Sequence, residues 1–363
     1  MDQIINKLSV IDFSFILIIV AKILLLVVLY QVVKKYKPAW LMPVRVLACV
    51  MIMRVILFEN PLAWYIYNHT LDPEVVGWRQ SSVLYDNFNQ FKSNQEVEFL
   101  AVGSSQTGAI YDVSVDSVAS KLQVKSLAGL GPVDLYMYRE NIVESNPENV
   151  LLFLSEFDMG RYPSLEAIKL SPNLGLKFPE IFMRIREDFP GDETNNILKE
   201  MFFGEIFPEY KYSYIFKGYL DQFTGKQVVM PNLESQVDDD NYFENQLSQL
   251  KVAVQEENLE INFRYLNDFI SYLSDHDINV LVIEGQYHPF GYSNKNLALQ
   301  EKVRSQLTDL QAQYSNLTYV PKTETIIFTI DDYDDAYHVN KQAAAKFTRS
   351  VINSLDKFGT GTH

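Results

Sequence analysis

Two serines, Ser104 and Ser105, follow an apolar run in the sequence FLAVGSSQTG at 99–108. Such a run predicts a buried strand, and the Gly-Ser-Ser turn after it would place two hydroxyls at the strand's carboxyl end. A serine hydroxyl becomes an effective nucleophile only when a base removes its proton. The alternative is a turn in which serine is simply a favoured residue. The choice depends on whether the chain supplies a base.

The candidate base is His338, one of five histidines in the chain. It lies in the sequence DDYDDAYHVNK, three residues after Asp335, in a predicted loop before a helix. This spacing lets the carboxylate accept a hydrogen bond from one ring nitrogen and leaves the other nitrogen free for the serine. Considered alone, the pair is also typical of a helix cap beside a surface histidine.

The elements that would bring these residues together alternate along the chain. Apolar runs predict strands, and runs with apolar residues every three or four positions predict helices. The predicted strands are 97–103, 122–129, 149–157, 278–286 and 317–321, and the predicted helices are 133–145, 258–275, 296–314 and 340–355. This order predicts an α/β fold with a doubly wound parallel sheet. Residues 160–255 interrupt it and are interpreted as a mainly helical insertion that could cover the site.

Catalytic groups of an open parallel sheet lie at the carboxyl ends of its strands. Ser105 follows the first strand, and the last loop of such a sheet returns to the same edge, so Ser105, Asp335 and His338 are expected to converge. An oxyanion formed there needs N–H donors. Ser105 and Gly129, in SLAGLGP after the second strand, are the candidates, although glycine is also expected in a plain strand-to-helix turn. Gln106 and His288 are weaker candidates for the substrate cleft, and a turn histidine explains His288 equally simply.

The first sixty residues predict a membrane anchor. Phe13–Val33 is an apolar stretch of 21 residues, which is long enough to cross a bilayer as a helix. A second apolar stretch, Leu41–Phe58, contains two arginines and is either a return pass or an interfacial helix. Two passes agree with basic residues at 34–37 staying in the cytoplasm and would place the rest of the chain outside the cell. The predicted organisation is an anchor at 1–60, a connector at 61–96, the α/β domain at 97–357 and a tail at 358–363.

Charge and composition narrow the class of partner. The net charge is −15, and because residues 1–60 carry +4, the remainder carries −19. An acidic body of this kind argues against nucleic acid as a partner. A single cysteine excludes a disulfide framework and a cysteine-rich metal site. No metal and no cofactor are expected.

The motifs together resemble the SGNH, or GDSL-type, hydrolase superfamily. They are Gly-x-Ser at 103–105, Gly129 after the second strand, and Asp-x-x-His at 335–338. With GSSQ in place of GDSL and an N-terminal anchor, the sequence is most similar to the DltD and AlgX/AlgJ-like branch. The resemblance implies Ser105 as nucleophile, Asp335 and His338 as its partners, and Gly129 as the oxyanion glycine. The third block, normally Gly-x-Asn-Asp, reads LSEFDMGR here, so Ser155 or a backbone N–H would replace the asparagine.

Proteins of that branch work beside a membrane-bound O-acyltransferase (MBOAT) and decorate cell-surface polymers. The resemblance therefore implies an extracytoplasmic enzyme at the plasma membrane that moves a small acyl group, acetyl or aminoacyl, through Ser105 onto a polysaccharide or other polymer. An esterase would use the same residues. The missing asparagine and the acidic surface leave a third possibility, a non-catalytic scaffold that binds a polymer or an acyltransferase.

Overall fold

The fold is taken from a computed structural model of the chain. It describes residues 27–28, 30–36, 40–57, 61–72, 76, 79–80, 83, 97–115, 121–163, 170, 177–225, 240–252 and 255–358. The five predicted strands all form, each shortened at one or both ends. They are β1 (Phe99–Gly103), β2 (Leu122–Ser126), β3 (Asn149–Leu154), β4 (Asn279–Glu284) and β5 (Leu317–Val320).

The sheet has the strand order β2-β1-β3-β4-β5, and every neighbouring pair is parallel. This is the flavodoxin-like order, in which the direction of winding reverses between β1 and β3. Side chains alternate along each strand between two cores. In β1, for example, Leu100 and Val102 join the larger core on one face, while Phe99 and Ala101 join the smaller core on the other. Both faces of the sheet are therefore covered, as predicted for a doubly wound α/β fold.

Thirteen helices are defined from end to end within the described part of the chain. They are α1 (Leu41–Leu57), α2 (Pro61–Thr70), α3 (Ser105–Ile110), α4 (Pro132–Glu144), α5 (Glu156–Gly160), α6 (Phe178–Asp188), α7 (Asp192–Ile206), α8 (Pro208–Lys211), α9 (Ser213–Thr224), α10 (Asp240–Val252), α11 (Glu257–Ser274), α12 (Asn294–Gln313) and α13 (Lys341–Phe358). The four helices predicted around the sheet are α4, α11, α12 and α13. The described parts of the predicted insertion between the third and fourth strands are mainly helical and supply α6 to α10.

Two helices of the insertion, α6 and α7, are part of the larger core. Apolar side chains of α6 and α7, among them Ile181, Ile185 and Leu198, pack in the same cluster as those of α4 and α11. The smaller core on the opposite face is closed by α3 and α13, through Ile110 and Phe347. Helices α6 and α7 thus lie on the opposite face of the sheet from α13.

Helices α1 and α2 precede the sheet. The second predicted membrane segment, Leu41–Phe58, forms α1, while the first, Phe13–Val33, falls mostly outside the described residues. Among the helices that the structure describes, none combines the length and the apolar character needed to cross a bilayer. The return pass is thus not found there, and the span at 13–33 stays a prediction.

Candidate active site

Ser105 is the first residue of α3, directly beyond the carboxyl end of β1. The chain turns from strand to helix within two residues, and Ser104 keeps an extended conformation before the helix begins. The turn is possible because position 103 is a glycine, since a Cβ there would lie 1.9 Å from the Thr107 hydroxyl oxygen. This tight turn leaves Ser105 half-buried at the edge of the sheet.

The structure brings Ser105, His338 and Asp335 together. The Ser105 Oγ lies 2.9 Å from His338 Nε2, although 233 residues separate them in sequence. On the other side of the ring, His338 Nδ1 lies 2.8 Å from Asp335 Oδ2. With the Nδ1 proton held by the carboxylate, Nε2 is the nitrogen that can accept the proton of the serine hydroxyl. This is the geometry of a Ser-His-Asp triad.

Asp335 also organises the loop that carries the histidine. Its Oδ1 accepts hydrogen bonds from the backbone N–H groups of Tyr337 and His338, at 2.7 and 2.8 Å. Burial of the carboxyl opposes its ionisation, but these hydrogen bonds and the one from the imidazole outweigh burial and lower the pKa of Asp335. The carboxylate is therefore the stable form beside His338.

Two elements outside the triad fasten this loop. The His288 backbone N–H donates to Ala336 O at 3.1 Å. From the insertion, Gln246 of α10 accepts the Ala336 N–H through Oε1 at 3.1 Å, and its backbone carbonyl accepts from the Tyr337 hydroxyl at 3.3 Å. The last helix of the insertion thus packs directly on the segment between Asp335 and His338. Nothing in the sequence signalled this contact.

Gly129 follows β2 in a left-handed conformation, with φ of 68°. Its carbonyl oxygen accepts hydrogen bonds from two guanidinium groups, Arg79 Nη2 at 2.8 Å and Arg161 Nη2 at 2.5 Å. Arg79 is in turn held by Asp134 at 3.1 Å. The orientation of this turn is therefore fixed from both sides, by arginines that sequence reasoning did not identify.

The three candidate oxyanion donors differ in their availability. Among the described residues, neither the backbone N–H of Ser105 nor that of Gly129 donates a hydrogen bond to another backbone group. Ser155, in contrast, is fully buried and caps α5. Its hydroxyl and its backbone N–H both donate to Asp158 Oδ2, at 2.8 and 3.0 Å. Ser155 has no donor left for an oxyanion.

The two candidates for the substrate cleft, Gln106 and His288, are both buried. The Gln106 amide donates to Tyr337 O at 3.3 Å and so ties α3 to the triad loop. The His288 Nδ1 accepts from the Phe290 N–H at 3.3 Å, and the ring packs against Phe243. Burial lowers the pKa of His288 and favours the neutral ring. Both side chains therefore make structural contacts around the triad.

Beyond the carboxyl ends of β3 and β4 lies a second polar cluster. Glu156 is 1% exposed, and its carboxylate accepts a short hydrogen bond from the Tyr287 hydroxyl. Burial, more than any other factor, raises the pKa of Glu156 to about 7. The Tyr287 hydroxyl also accepts from the Asn296 amide at 2.9 Å. This cluster joins α5, the loop after β4 and α12, and it does not include the triad.

Comparison with known proteins gives no relative in sequence. No family model matches the chain, and no curated protein matches it. Among solved structures, a protein of Bacteroides fragilis provisionally described as an acylhydrolase is similar, with 9% identity over 83% of this chain and 98% of that chain, at a TM-score of 0.37. A Streptococcus pneumoniae protein provisionally described as a platelet activating factor is also similar. It has 11% identity over 82% of this chain and 99% of that chain, at a TM-score of 0.34.

Proposed function

We propose that this protein is a serine-dependent acyltransferase that works at a membrane surface through an acyl-Ser105 intermediate. The observation that carries the proposal is the continuous hydrogen-bonded chain from the Ser105 hydroxyl through His338 to Asp335, with distances of 2.9 and 2.8 Å. A serine at a tight turn with an oriented imidazole is the arrangement that nucleophilic acyl transfer requires.

In the first half of the reaction, Ser105 Oγ attacks the carbonyl carbon of an acyl donor while its proton passes to His338 Nε2. The negative charge that develops on the carbonyl oxygen would be stabilised by the backbone N–H groups of Ser105 and Gly129. When the tetrahedral intermediate collapses, the bond to the leaving group breaks and the leaving oxygen takes the proton from His338. The product is an ester of Ser105 and the free leaving alcohol.

In the second half, a hydroxyl of the acceptor gives its proton to His338 Nε2 and attacks the acyl carbon. Collapse returns the proton to Ser105 and releases the acylated acceptor. Asp335 keeps the ring oriented and stabilises its protonated form in both halves. Transfer to a polymer in place of hydrolysis needs a site that keeps water from the ester. Helix α10, which contacts the triad loop, is the nearest part of the insertion that can do so.

The substrate class and the partner rest on the sequence resemblance. By that resemblance the acyl group is acetyl or aminoacyl, the acceptor is a polysaccharide or another cell-surface polymer, and the donor step involves an MBOAT protein in the same membrane. The apolar stretch Phe13–Val33 supports a position at the plasma membrane, with the α/β domain on its extracytoplasmic side.

The direct test is capture of the intermediate. Purified full-length protein, mixed with an activated acetyl ester and quenched in acid, is expected to gain one acetyl group on the peptide that contains Ser105, as seen by mass spectrometry. Ser105→Ala should carry none, whereas Ser104→Ala, which changes the neighbouring hydroxyl, should still be acylated. An equal adduct on Ser105→Ala would contradict the proposal.

Hydrolysis is the second candidate function, and one observation favours it. Ser105 is only half-buried, so water can reach the ester. Deacylation in the presence and absence of an oligosaccharide acceptor separates the two activities. Acylated sugar as the main product supports transfer, and free acid in both reactions supports an esterase. Unchanged polymer acylation in cells that carry Ser105→Ala would instead point to the scaffold role.

A further inference from the structure

An apolar corner is exposed on the insertion where α7, α8 and α9 meet. Its exposed side chains are Phe202, Phe203, Phe207, Tyr210, Phe216, Leu220 and Phe223. Phe223 is 87% exposed and Leu220 is 62% exposed, so most of the surface of both side chains is accessible to solvent. Scattered exposed apolar residues are ordinary, but here the Phe203 ring contacts those of Phe202 and Tyr210, and a group of exposed rings of this kind marks a contact surface.

The orientation of α9 is fixed by the contacts that its buried side makes. Ile215 and Gly218 are buried on α9 and pack against the segment that contains α2, so closely that a Cβ at position 218 would lie 3.0 Å from the Leu71 side chain. The Tyr219 hydroxyl lies 2.5 Å from the Thr70 hydroxyl. Phe216, Leu220 and Phe223, spaced by four and three residues, follow the opposite stripe. Because α9 is anchored in this way, its apolar stripe is held outward.

Helix α1 lies beside this corner. Met42, Val46, Val50 and Met53 are exposed along one broad face of α1, opposite the buried Val44. The Arg54 guanidinium lies 5.6 Å from the centre of the Phe207 ring, which joins α1 to the corner. The apolar face of α1 and the apolar corner of α7, α8 and α9 together form a larger surface than either could form alone.

The chemistry of this surface identifies what covers it. Residues 30–57 contain five basic and no acidic residues, in a chain whose net charge is −15. Helices α7 to α9 themselves carry six acidic and three basic residues. The attraction to anionic headgroups therefore comes from the basic residues at 30–57, and the exposed rings of the corner would lie among the acyl chains. The apolar stretch at 13–33 immediately precedes this segment and leads the chain to a bilayer.

We propose that α1 and the corner formed by α7, α8 and α9 rest together on the lipid bilayer, so that the insertion is a second, interfacial attachment of the domain. This inference rests on the membrane attachment in the proposed function and is independent of the acyl-transfer chemistry. It also orients the site. Val76 packs on α9, and three residues later Arg79 binds the Gly129 carbonyl. The active-site edge is thereby tied to the element that contacts the membrane.

The test uses single cysteines in full-length protein in which Cys49 is replaced by serine. An environment-sensitive fluorophore is attached at Phe223→Cys or, as a second position on the stripe, at Leu220→Cys. The control is Lys346→Cys on α13, which is exposed on the opposite face of the sheet. Each protein is reconstituted in vesicles of phosphatidylcholine and phosphatidylglycerol, and flotation first verifies attachment. Quenching is then measured with nitroxide-labelled lipid and with aqueous iodide.

The expected result is a blue-shifted emission at 223 and 220 that nitroxide lipid quenches and iodide does not, with the reverse at 346. Equal iodide quenching at all three positions would overturn the inference and leave membrane anchoring intact. Protection from iodide without quenching by nitroxide lipid would overturn it in favour of a protein partner on the corner. Failure to float would remove the membrane attachment itself. Acyl-Ser105 formation, measured in the same vesicles, reports separately on the chemistry.

Discussion

Two serines of this protein occupy nearly equivalent places and have different surroundings. Ser105 and Ser155 follow the neighbouring strands β1 and β3, and each stands at the start of a short helix. Ser155 is fully buried, and its hydroxyl is used by Asp158 three residues later. Ser105 is half-buried, and its hydroxyl meets an imidazole that arrives from the far end of the chain.

The difference comes from which residue is the N-cap and which residue occupies the third position of each helix. Ser155 is the N-cap of α5, and the third residue of that helix, Asp158, closes a reciprocal cap with it. In α3 the N-cap is Ser104, and the third residue is Thr107, which has no carboxylate. Ser105 is therefore one step inside the helix and has no local acceptor for its hydroxyl proton. A strand-end serine is available for chemistry only where the local cap does not use it.

The largest effect is expected from Ser105→Ala. Removal of the nucleophile should lower the rate of acyl transfer by about a millionfold. The measurement is the rate of product formation from an activated ester, with the melting temperature as a control for folding. If Ser155→Ala lost activity to the same extent at an unchanged melting temperature, the contrast between the two serines would be broken.

A smaller loss is expected from Asp335→Asn. The amide oxygen can still accept the two backbone N–H groups of the loop, but it no longer stabilises a protonated His338. A fall in kcat of about a thousandfold to ten thousandfold is the usual consequence. The measurement is kcat with the loop structure monitored by the melting temperature. Activity within a few-fold of the original protein would show that His338 does not depend on this carboxylate.

A pH-dependent stability is expected from Glu156, the residue after Ser155. Its pKa in the folded protein is about 7 against an ordinary value of 4.5, so between these values the folded state binds more protons than the unfolded state. The free energy of unfolding should therefore fall as pH rises from about 5 to 8, by up to about 3 kcal/mol. Glu156→Gln should remove this slope. Parallel pH profiles of stability for the two proteins would contradict the assignment.

The smallest effect is expected from Ser155→Ala. Loss of the cap should lower the free energy of unfolding by about 1 kcal/mol, because Asp158 keeps the backbone N–H of residue 155 as a donor. The acyl-enzyme at Ser105 should still form at close to the original rate. Urea denaturation and adduct formation, measured on the same preparation, check both parts. A tenfold slower acylation would show that Ser155 acts in the site after all.

The parts that sequence reasoning predicted are those with a local pattern. Apolar runs such as NVLLFL predicted the strands, and the parallel order placed Ser105 and His338 at one edge. The S-x-x-D pattern at 155–158 was also a local signal, for a helix cap, and it separates Ser155 from the oxyanion donors. The contacts of Arg79 with Gly129, 50 residues apart, and of Gln246 with Ala336, 90 residues apart, leave no periodicity to read. They depend on packing that only the folded chain reveals.

Arg79 precedes the first strand in the sequence, yet its guanidinium donates a hydrogen bond to the carbonyl of Gly129, in a turn at the edge of the sheet where the candidate active site lies. A shortened protein that starts at residue 97 would still carry every member of the triad. It would nevertheless leave the Gly129 carbonyl with one guanidinium where there were two, and would deprive Asp134 of its closest cation. Ser105 would still be present, but the turn at Gly129 would be held less rigidly. The protein is thus better isolated with its amino-terminal segment kept than trimmed to the sheet.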